Sequence, residues 1–428
     1  MVRLGMNDKT EKDSHTLTLP KSVDQHSAPI KVLTITTLYP NAAQPSHGIF
    51  VENRLRNLAE TGEVLLRVVA PVPWFPWKSK CFGRYGTFAK APSAEVRYGI
   101  PITHPRYFLI PKIGMTVAPV SLRATILRHV RSLIAAGSNF DLIDAHFFYP
   151  DGIAAAGLAQ RLGLPVVITA RGTDLNDYVS RYPAVGRAIR LTAERADGLI
   201  VVCNALKDVL VKLGIPPERV QVLRNGVDLQ LFKPVARDTA RAILGITRPT
   251  LLSVGHLIER KGHDIAIAAL MTLPGFDLLI VGDGPDRSKL AALAHNLGMA
   301  DRVRFLGHVS HADLPGIYSA ADALILPSSR EGWANVLLES MACGTPVVAS
   351  AVWGTPEIVC TPAAGVLVHD RTSAGFATAI KQLFAKPPDR SATRAYAEMF
   401  SWESTSLGQI RVFRSAIANA QRRHDRRE

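Results

Sequence analysis

Two carboxylates, Glu331 and Glu339, flank a segment with the pattern of a loop entering a helix. A strand is predicted to end at Leu326, and a helix is predicted to begin near Ala334. Free backbone N–H groups at such a helix start bind anions, and Gly332 would allow a diphosphate to approach the backbone. Because carboxylates repel phosphate, the two glutamates are better suited to accept hydrogen bonds from hydroxyl groups on either side of it. Eight helical rises span roughly 12 Å, comparable to the sugar-to-ribose distance across a diphosphate.

Polar side chains in the first half of the sequence also stand at the ends of predicted strands. His146 comes near the end of the apolar run 141–147, where a histidine either lies at a ligand cleft or is a hydrogen-bonded structural residue. Arg171 and Asp174 follow the next run in the same way. Arg171 could bind an acceptor phosphate, and Asp174 could orient hydroxyl groups or Arg171 itself.

Apolar strands alternate with amphipathic helical segments along the whole chain. The strand-like runs lie at 30–40, 64–72, 141–147, 165–172 and 198–203, and then at 219–226, 250–257, 276–284, 302–309, 323–329, 346–351 and 365–370. This alternation indicates parallel sheets covered by helices on both faces. So many strands exceed one comfortable sheet, and two doubly wound sheets of about six strands are predicted. Ligands of such sheets bind beyond the carboxyl ends of the strands, so the cleft between the sheets is the predicted site.

The boundary between the two domains is predicted near Ile215, where two prolines follow a helix that ends at Gly214. We expect a disordered leader over 1–28, because this segment is polar and lacks the apolar run of a secretory signal. The remaining parts are a first domain over 29–215, a second over 216–400, and a C-terminal helix over 401–428 that crosses back to the first domain.

The formal net charge of +14 in 428 residues, most of it before residue 215, favours a polyanionic neighbour. Nucleic acid is excluded as the partner, because no zinc finger, recognition helix or RNP-like aromatic pattern accompanies the charge. An anionic membrane face or a phosphate-bearing substrate remains. The four cysteines are scattered without metal-ligand spacing, which predicts neither disulfides nor structural zinc.

A proline-rich loop over 71–80 combines Trp74, Phe75 and Trp77 with Lys78 and Lys80. Tryptophans beside lysines suit a membrane interface, although a loop that packs its aromatic rings inward has the same composition. No stretch approaches the roughly 18 uninterrupted apolar residues of a membrane span. A cytoplasmic protein is expected, with a peripheral contact to the inner face of the plasma membrane as its one membrane association.

The chain resembles family 4 of the glycosyltransferases, which are retaining enzymes of the GT-B fold. The resemblance rests on Glu331-x7-Glu339 followed by Ser-Met-Ala-Cys-Gly-Thr-Pro-Val-Val, and it continues through 254–262, 281–285, 303–307 and 225–228. It implies an α/β architecture of two Rossmann-like, doubly wound parallel-sheet domains that face a central cleft. The first domain would bind the acceptor, and the second would bind the nucleotide sugar.

The resemblance also assigns roles to individual residues. Lys261 looks like the cation on the donor diphosphate, where positive charge neutralises the leaving group. Glu331 would hold the sugar hydroxyls, Glu339 the ribose, and His146 would lie beside the reacting sugar. The implied catalytic residues are His146, Lys261 and Glu331. The implied donor site comprises Gly48, His256, Arg260, Lys261, Gly282, Gly284, Val309, Glu331, Gly332, Trp333, Ala334, Asn335, Val336 and Glu339, and the acceptor candidates are Arg171 and Asp174.

For several of these residues the sequence allows more than one role. His256 stands where the family has an arginine, and a histidine is only fractionally charged near neutrality. Lys261 and Arg260 would therefore supply most of the positive charge that stabilises the leaving group. Gly282 and Gly284 are either close-approach glycines beside the donor or a strand-end turn.

Two further positions in the implied donor site act through the backbone. Gly48 either brings backbone close to phosphate or acceptor, or forms a structural turn. Val309 belongs to a segment that would flank the nucleotide base through its main chain.

The resemblance implies a reaction in which the acceptor attacks on the face that the leaving phosphate vacates, without a carboxylate nucleophile. No Asp-x-Asp stands where a metal would bridge phosphates, so neither a metal nor a cofactor is expected besides the nucleotide-sugar donor. UDP is preferred over GDP, because no feature selects a purine. The expected acceptor is a glycan or a lipid-linked molecule in cell-surface polysaccharide synthesis, since the Arg-Gly-Thr-Asp and Tyr-Pro-Asp-Gly segments are similar to bacterial enzymes of exopolysaccharide and teichuronic-acid-type assembly.

Other functions are excluded or left open. No G-x-G-x-x-G follows the first strand, which argues against a nicotinamide dehydrogenase, and no P-loop motif occurs. A sugar-nucleotide epimerase of the same fold remains, because it would share the donor cleft. A non-catalytic nucleotide-sugar-binding subunit also remains, and the departure at His256 is the feature that favours it.

Overall fold

The computed structural model describes residues 28–109 and 114–425. The leader predicted over 1–28 therefore lies almost wholly outside the described residues. The described chain forms two α/β domains, each built on a parallel sheet.

The first sheet has eight strands in the order β10-β9-β8-β7-β1-β2-β5-β4. Its strands are β1 Ile30–Ile35, β2 Val64–Val69, β4 Ala94–Arg97, β5 Ile100–Thr103, β7 Leu142–His146, β8 Val166–Ala170, β9 Gly198–Val201 and β10 Val220–Val222, while β3 Val72–Pro73 and β6 Arg106–Tyr107 form a separate parallel pair. Neighbouring residues Val32 and Leu33 point to opposite faces of β1, and both are fully buried. Helices must therefore cover both faces, as the alternation in the sequence predicts.

The second sheet has six parallel strands in the order β13-β12-β11-β14-β15-β16. Its strands are β11 Thr250–Val254, β12 Asp277–Val281, β13 Val303–Gly307, β14 Ala323–Leu326, β15 Val347–Ser350 and β16 Gly365–Val368. Every pairing in this sheet is parallel, and the chain passes from β13 on one edge to β14 beside β11. The predicted pair of doubly wound sheets is thus confirmed.

Helices connect the strands and cover the sheets. In the first domain they are α1 Ile49–Ala59, α2 Arg84–Phe88, α3 Gly114–Ala135, α4 Ile153–Leu162, α5 Thr173–Asn176, α6 Tyr178–Arg181, α7 Pro183–Arg195 and α8 Asn204–Lys212. The others are α9 Arg237–Ile243, α10 His263–Ala269, α11 Arg287–Asn296, α12 Leu314–Ala320, α13 Asn335–Ala342, α14 Thr355–Ile358, α15 Ser373–Ala385, α16 Arg390–Glu398 and α17 Trp402–Asp425.

The first sheet is wider than the sequence predicts. Strands β4 and β5 form an antiparallel hairpin at its edge, and the two residues between them, Tyr98 and Gly99, have φ of 50° and 77°. Left-handed residues at both turn positions match the twist of a two-residue hairpin. The tyrosine conceals this turn, because the usual signal is Asn-Gly or Asp-Gly.

Strand β10 also belongs to the first sheet, where it pairs with β9. The boundary predicted near Ile215 is therefore one strand too early. The chain crosses between the domains after β10, where Val227 N donates to Phe400 O at 2.9 Å. Gly226 packs against the return crossing, since a Cβ on it would lie 2.6 Å from Trp402 N. The two interdomain connections thus run side by side.

Helix α17 begins at this crossing and lies on α1, β8 and β9 of the first domain. It buries Ile410, Phe413 and Ala416 there. Burying each of the two large side chains stabilises the contact by about 1.5–3 kcal/mol. The C-terminal end of the chain thereby holds the two domains together.

Candidate functional site: a cleft between the two sheets

A cavity of about 880 Å³ lies between the carboxyl ends of the two sheets. The first domain contributes the segments that follow β1, β7 and β8, and the second contributes the turn before α10 and the loop that leads from β14 into α13. Of the implied site residues, the cavity is lined by Arg171, Arg260, Lys261, Glu331, Gly332, Trp333, Ala334, Asn335 and Val336. The first turn of α13 therefore opens into the gap between the domains.

A short ion pair stands at this helix start. Lys261 Nζ lies 2.6 Å from Glu331 Oε1, and Arg260 Nη1 lies 3.7 Å from Glu331 Oε2. Burial alone would raise the pKa of Glu331, but the charges of Lys261 and Arg260 outweigh it and hold the pKa below its ordinary value. Glu331 is therefore an ionised acceptor of hydrogen bonds at neutral pH.

The backbone fixes the two partners of this pair relative to each other. Ser329 N donates to Arg260 O at 2.9 Å, and the Arg260 guanidinium donates to Arg330 O at 2.7 Å. Gly262 ends the turn with φ of 71°, and a Cβ there would lie 2.2 Å from Pro327 O. Only glycine fits this left-handed contact, which seats the Lys261 loop against the Glu331 loop.

Glu339 lies outside the cavity lining. Its Oε2 accepts a hydrogen bond from the Tyr318 hydroxyl at 2.9 Å, and its Oε1 lies 3.4 Å from His311 Nε2. These partners hold the carboxylate beside α12, on the second domain.

His146 lies beneath the cavity rather than on its surface. Its ring is fully buried, with Nε2 2.8 Å from Asp144 Oδ2 and Nδ1 against the guanidinium of Arg171. A guanidinium only donates, so Nδ1 must accept, and the neutral ring carries its proton on Nε2. Burial lowers the pKa of His146 to about 4. Nε2 faces the Asp144 carboxylate without an aligned hydrogen bond, and the buried ring lies away from the expected place beside the reacting sugar.

Arg171 contacts His146 through its guanidinium and is one of the residues that line the cavity. It donates to Asn225 Oδ1 at 3.1 Å, and Asn225 Nδ2 donates to Asn335 Oδ1 at 3.3 Å. The indole of Trp333 donates to Asn225 O at 3.0 Å. Burial and the nearby charge of Arg54 lower the pKa of Arg171. Asn225, on the interdomain crossing, thus links Arg171 of the first domain to the first turn of α13.

A second buried arginine extends this network to α17. Arg54 donates to Gln409 Oε1 at 2.6 Å and to Leu223 O at 3.1 Å. Gln409 Nε2 lies 3.4 Å from Asp144 Oδ2, which is the oxygen that faces His146. The polar chain therefore runs from the C-terminal helix to the cleft floor.

Asp174 is a structural residue in this geometry. Its fully buried carboxylate accepts from the backbone N–H groups of Phe148 and Gly172, each at 2.8 Å, and of Arg171 at 3.2 Å. With these donors it shapes the loop that carries Arg171. Of the two expected roles, the geometry favours the one in which Asp174 orients Arg171, and it does so through the Arg171 backbone rather than the guanidinium.

The glycines implied beside the donor approach protein backbone. A Cβ on Gly282 would lie 1.9 Å from Gly255 O, and one on Gly284 would lie 2.4 Å from Leu257 O. These contacts pack the loop after β12 against the loop after β11. The turn is the alternative that the geometry favours, because neither glycine lines the cavity.

Three more implied donor residues lie outside the cavity lining. Gly48 precedes α1 with φ of 71°, and a Cβ there would lie 2.3 Å from Leu38 O, so it serves a turn. The exposed His256 donates from Nδ1 to Asp283 O at 2.6 Å. Val309 is partly buried against the core.

The sequence also conceals one positioning residue of the first domain. Asp151 accepts from the backbone N–H and the hydroxyl of Thr37, at 2.7 and 3.0 Å, and Thr37 lines the cavity. Burial raises the pKa of Asp151 to about 7. The Tyr-Pro-Asp-Gly segment draws attention to Asp151 in the sequence. It does not reveal that Asp151 binds Thr37, which lies more than a hundred positions away.

The described residues contain no group of three or more His, Cys, Asp and Glu side chains that could hold a metal ion. No helix in the described ranges has both the length and the apolar character needed to cross a membrane.

Two family models match the chain. The model described as Glycosyltransferase Family 4 matches residues 81–231, and the model described as Glycosyl transferases group 1 matches residues 236–400. The two matches meet at the crossing that contains Asn225.

Curated relatives match over long stretches. The D-inositol 3-phosphate glycosyltransferase 1 of Catenulispora acidiphila is 31% identical, over 91% of this chain and 97% of its own length. The D-inositol 3-phosphate glycosyltransferase of Mycobacterium tuberculosis is 37% identical over 66% of this chain and 64% of its own.

Solved structures share the fold. Sucrose-phosphate synthase from Thermosynechococcus elongatus has a TM-score of 0.77 at 23% identity, and 91% of this chain and 100% of that chain are covered. Anabaena HepE in complex with UDP-glucose has a TM-score of 0.70 at 21% identity, with 90% and 100% covered. With family models across both domains and a relative aligned over nearly its whole length, this chain belongs to family 4 of the glycosyltransferases and has their GT-B fold.

Proposed function

We propose that the protein transfers a sugar, with retention of anomeric configuration, from a nucleoside diphosphate sugar to a glycan or lipid-linked acceptor in cell-surface polysaccharide synthesis. The observation that carries this proposal is the pairing of Lys261 with Glu331 at the start of α13, inside the cleft. The proposed setting is the cytoplasm, at the inner face of the membrane. UDP is the proposed nucleotide, and Anabaena HepE, which has the same fold, has been solved with UDP-glucose.

The diphosphate would lie between the first turn of α13 and the side chains of Lys261 and Arg260. Backbone N–H groups at a helix start and two cations complement its charge. Lys261 then turns from Glu331 towards the phosphate, which leaves the carboxylate of Glu331 free for sugar hydroxyls. Glu339 would accept from the ribose with the lone pairs that Tyr318 and His311 leave available.

The chemical step would be assisted by the leaving phosphate. The bond from the anomeric carbon to the phosphate oxygen breaks, and the acceptor oxygen bonds to the same face of the sugar. The acceptor's proton passes to the departing phosphate oxygen. Lys261 and Arg260 would stabilise the charge that develops on that phosphate, so the proposed reaction uses neither a metal nor another cofactor.

The position of Arg171 supports the proposal that the acceptor carries a phosphate group. It lines the cleft from the first domain, opposite the donor side, and Asn225 holds its guanidinium in place. The curated relatives are named for D-inositol 3-phosphate, so a phosphorylated polyol is a second acceptor class beside a lipid-linked phosphate. Arg171→Gln should raise the KM for the acceptor more than the KM for the donor.

Product analysis tests the proposal against the epimerase and the non-catalytic subunit. Thermal unfolding with UDP, GDP and their sugars first selects the donor, because a bound ligand raises the unfolding temperature. The selected donor is then incubated with inositol phosphate, lipid-linked phosphate or neither. We expect a glycoside only with acceptor; a changed sugar nucleotide without acceptor would establish an epimerase, and donor binding without turnover would establish a binding subunit.

A further inference from the structure

Four large aromatic side chains are exposed on one side of the first domain. The exposed fractions are 50% for Trp74, 58% for Trp77, 40% for Phe82 and 61% for Phe108. We call these four residues the aromatic patch. Exposed apolar groups gathered in this way mark a surface that contacts something other than water.

The rings of the patch continue inward to the cleft. Trp77 and Phe82 stack at 5.3 Å between centroids, and Phe75 lies 5.3 Å from Phe82 and 5.5 Å from Tyr85. Tyr85 in turn lies 6.0 Å from Phe88, and both of these rings line the cavity. An unbroken series of aromatic rings therefore leads from the surface to the site.

A second connection runs through the strand pair β3–β6. Trp74 N donates to Tyr107 O at 2.7 Å. In the extended chain that follows, Tyr107 and Leu109 line the cavity, whereas Phe108 between them points outward. Alternate residues of an extended segment face opposite sides, so one stretch of chain serves both the cleft and the patch.

The surrounding sequence is strongly basic. Between Val64 and Phe140 the one acidic residue is Glu95, and it is engaged with His104 at 2.8 Å. Lys78 and Lys90 are exposed on the segments that carry the patch. An anionic surface is the complement of this composition.

We propose that the aromatic patch docks the first domain onto an anionic lipid surface, with the mouth of the cleft facing the lipid. Tryptophan rings favour the membrane–water interface, and lysines beside them are attracted to anionic headgroups. Resting on the proposed function, this inference names the acceptor class: a phosphate or glycan on a lipid tail, whose apolar part passes along the rings while its head reaches Arg171. The docking itself does not depend on catalysis.

Vesicle sedimentation tests the docking with the full-length protein. The vesicles are phosphatidylcholine alone and phosphatidylcholine mixed with phosphatidylglycerol. We expect binding to the anionic vesicles that weakens as salt rises. The double substitution Trp77→Ala/Phe82→Ala should weaken it at least about tenfold, because two rings leave the interface. The control, Ile243→Ala/Met399→Ala, removes two apolar side chains of the second domain that are even more exposed, at 79% and 75%, and it should change nothing.

Charge is tested separately. Lys78→Glu/Lys90→Glu keeps the rings and should abolish the preference for anionic vesicles, whereas Lys381→Glu/Lys386→Glu, on the second domain, should preserve it. Thermal unfolding checks that each variant folds. If a ring variant misfolds, the blue shift and bromolipid quenching of tryptophan fluorescence in the wild-type protein decide the question.

The outcomes separate this inference from the proposed function. Absence of wild-type binding to either vesicle, or equal weakening by the second-domain controls, overturns the docking, even if sugar transfer to a soluble acceptor is observed. Binding that depends on the patch supports the docking, even in a preparation that transfers no sugar. A patch that binds another protein but no vesicle also overturns it.

Discussion

Gly172 of the first domain and Gly332 of the second are packed backbone to backbone. A Cβ on Gly172 would lie 3.1 Å from Gly332 Cα, and a Cβ on Gly332 would lie 2.3 Å from Arg171 O. No side chain fits between the two loops, which carry Arg171 and Glu331. The two loops can come this close only because neither glycine has a Cβ. This contact therefore determines the width of the cleft between Arg171 and Glu331.

This contact predicts the effect of Gly332→Ala. The added methyl group would push the domains apart, so we expect sugar transfer to fall by about 100-fold, since small misplacements of reacting groups cost that much. Gly275→Ala is the control, because nothing lies within 4 Å of its Cβ. Transfer rates are compared at equal folded fractions. Full activity of Gly332→Ala would mean that the domains need not approach this closely.

Glu331→Gln tests the ion pair. The change keeps the shape but removes the charge that faces Lys261, and a neutral amide holds sugar hydroxyls less strongly. We expect turnover to fall by about 10²–10³-fold with the unfolding temperature nearly unchanged. Glu259→Gln, an exposed change in the neighbouring loop, should be silent. Wild-type turnover in Glu331→Gln would remove this carboxylate from the mechanism.

Asn225→Ala tests the link between the domains. It removes the acceptor for the buried Arg171 guanidinium and the donor to Asn335. Leaving a buried group unsatisfied costs about 1–3 kcal/mol, so the free energy of unfolding should fall by that amount. Asn296→Ala, at the exposed end of α11, should lower it by less than about 0.5 kcal/mol. Denaturant unfolding measures the free energy of unfolding of both variants. Equal losses in the two variants would mean that the hydrogen bonds of Asn225 do not stabilise the native protein.

Protonation of His146 should destabilise the protein in acid. Its pKa is about 4 in the folded state and about 6.5 in the unfolded chain, so the unfolded chain binds the proton first as pH falls. Stability is then lost between about pH 6.5 and 4, by roughly 3 kcal/mol in total. His146→Gln does not titrate, so the difference in unfolding free energy between it and the wild type should shift by that amount. A difference that stays constant across this range would contradict a buried neutral ring.

His146→Gln also shows whether His146 positions Arg171 or contacts the reacting sugar directly. If His146 acts by holding Arg171, then His146→Gln should change the KM for the acceptor more than the KM for the donor, and activity should recover partly at high acceptor concentration. A loss of kcat that no acceptor concentration restores would indicate that the ring touches the reacting sugar.

The sequence by itself determined the parallel two-sheet architecture, because buried parallel strands must be apolar on both faces and these runs are visible locally. It also located Glu331 and Gly332, since a strand, a glycine loop and a helix start lie within ten positions of one another. Local order along the chain was enough for these features.

Tertiary structure decided which polar residues reach the cleft. His146, Arg171 and Asp174 all stand at strand ends, yet the first is buried beneath the floor, the second faces the cavity and the third binds backbone. The residues that complete this network, Asp144, Asn225 and Gln409, come from separate segments of the chain. Hydrogen bonds between separate segments produce no periodic pattern in the sequence, so they could not be predicted from it. For the same reason, the assignment of β10 to the first sheet and the meeting of Gly172 with Gly332 became visible only after the two domains were packed together.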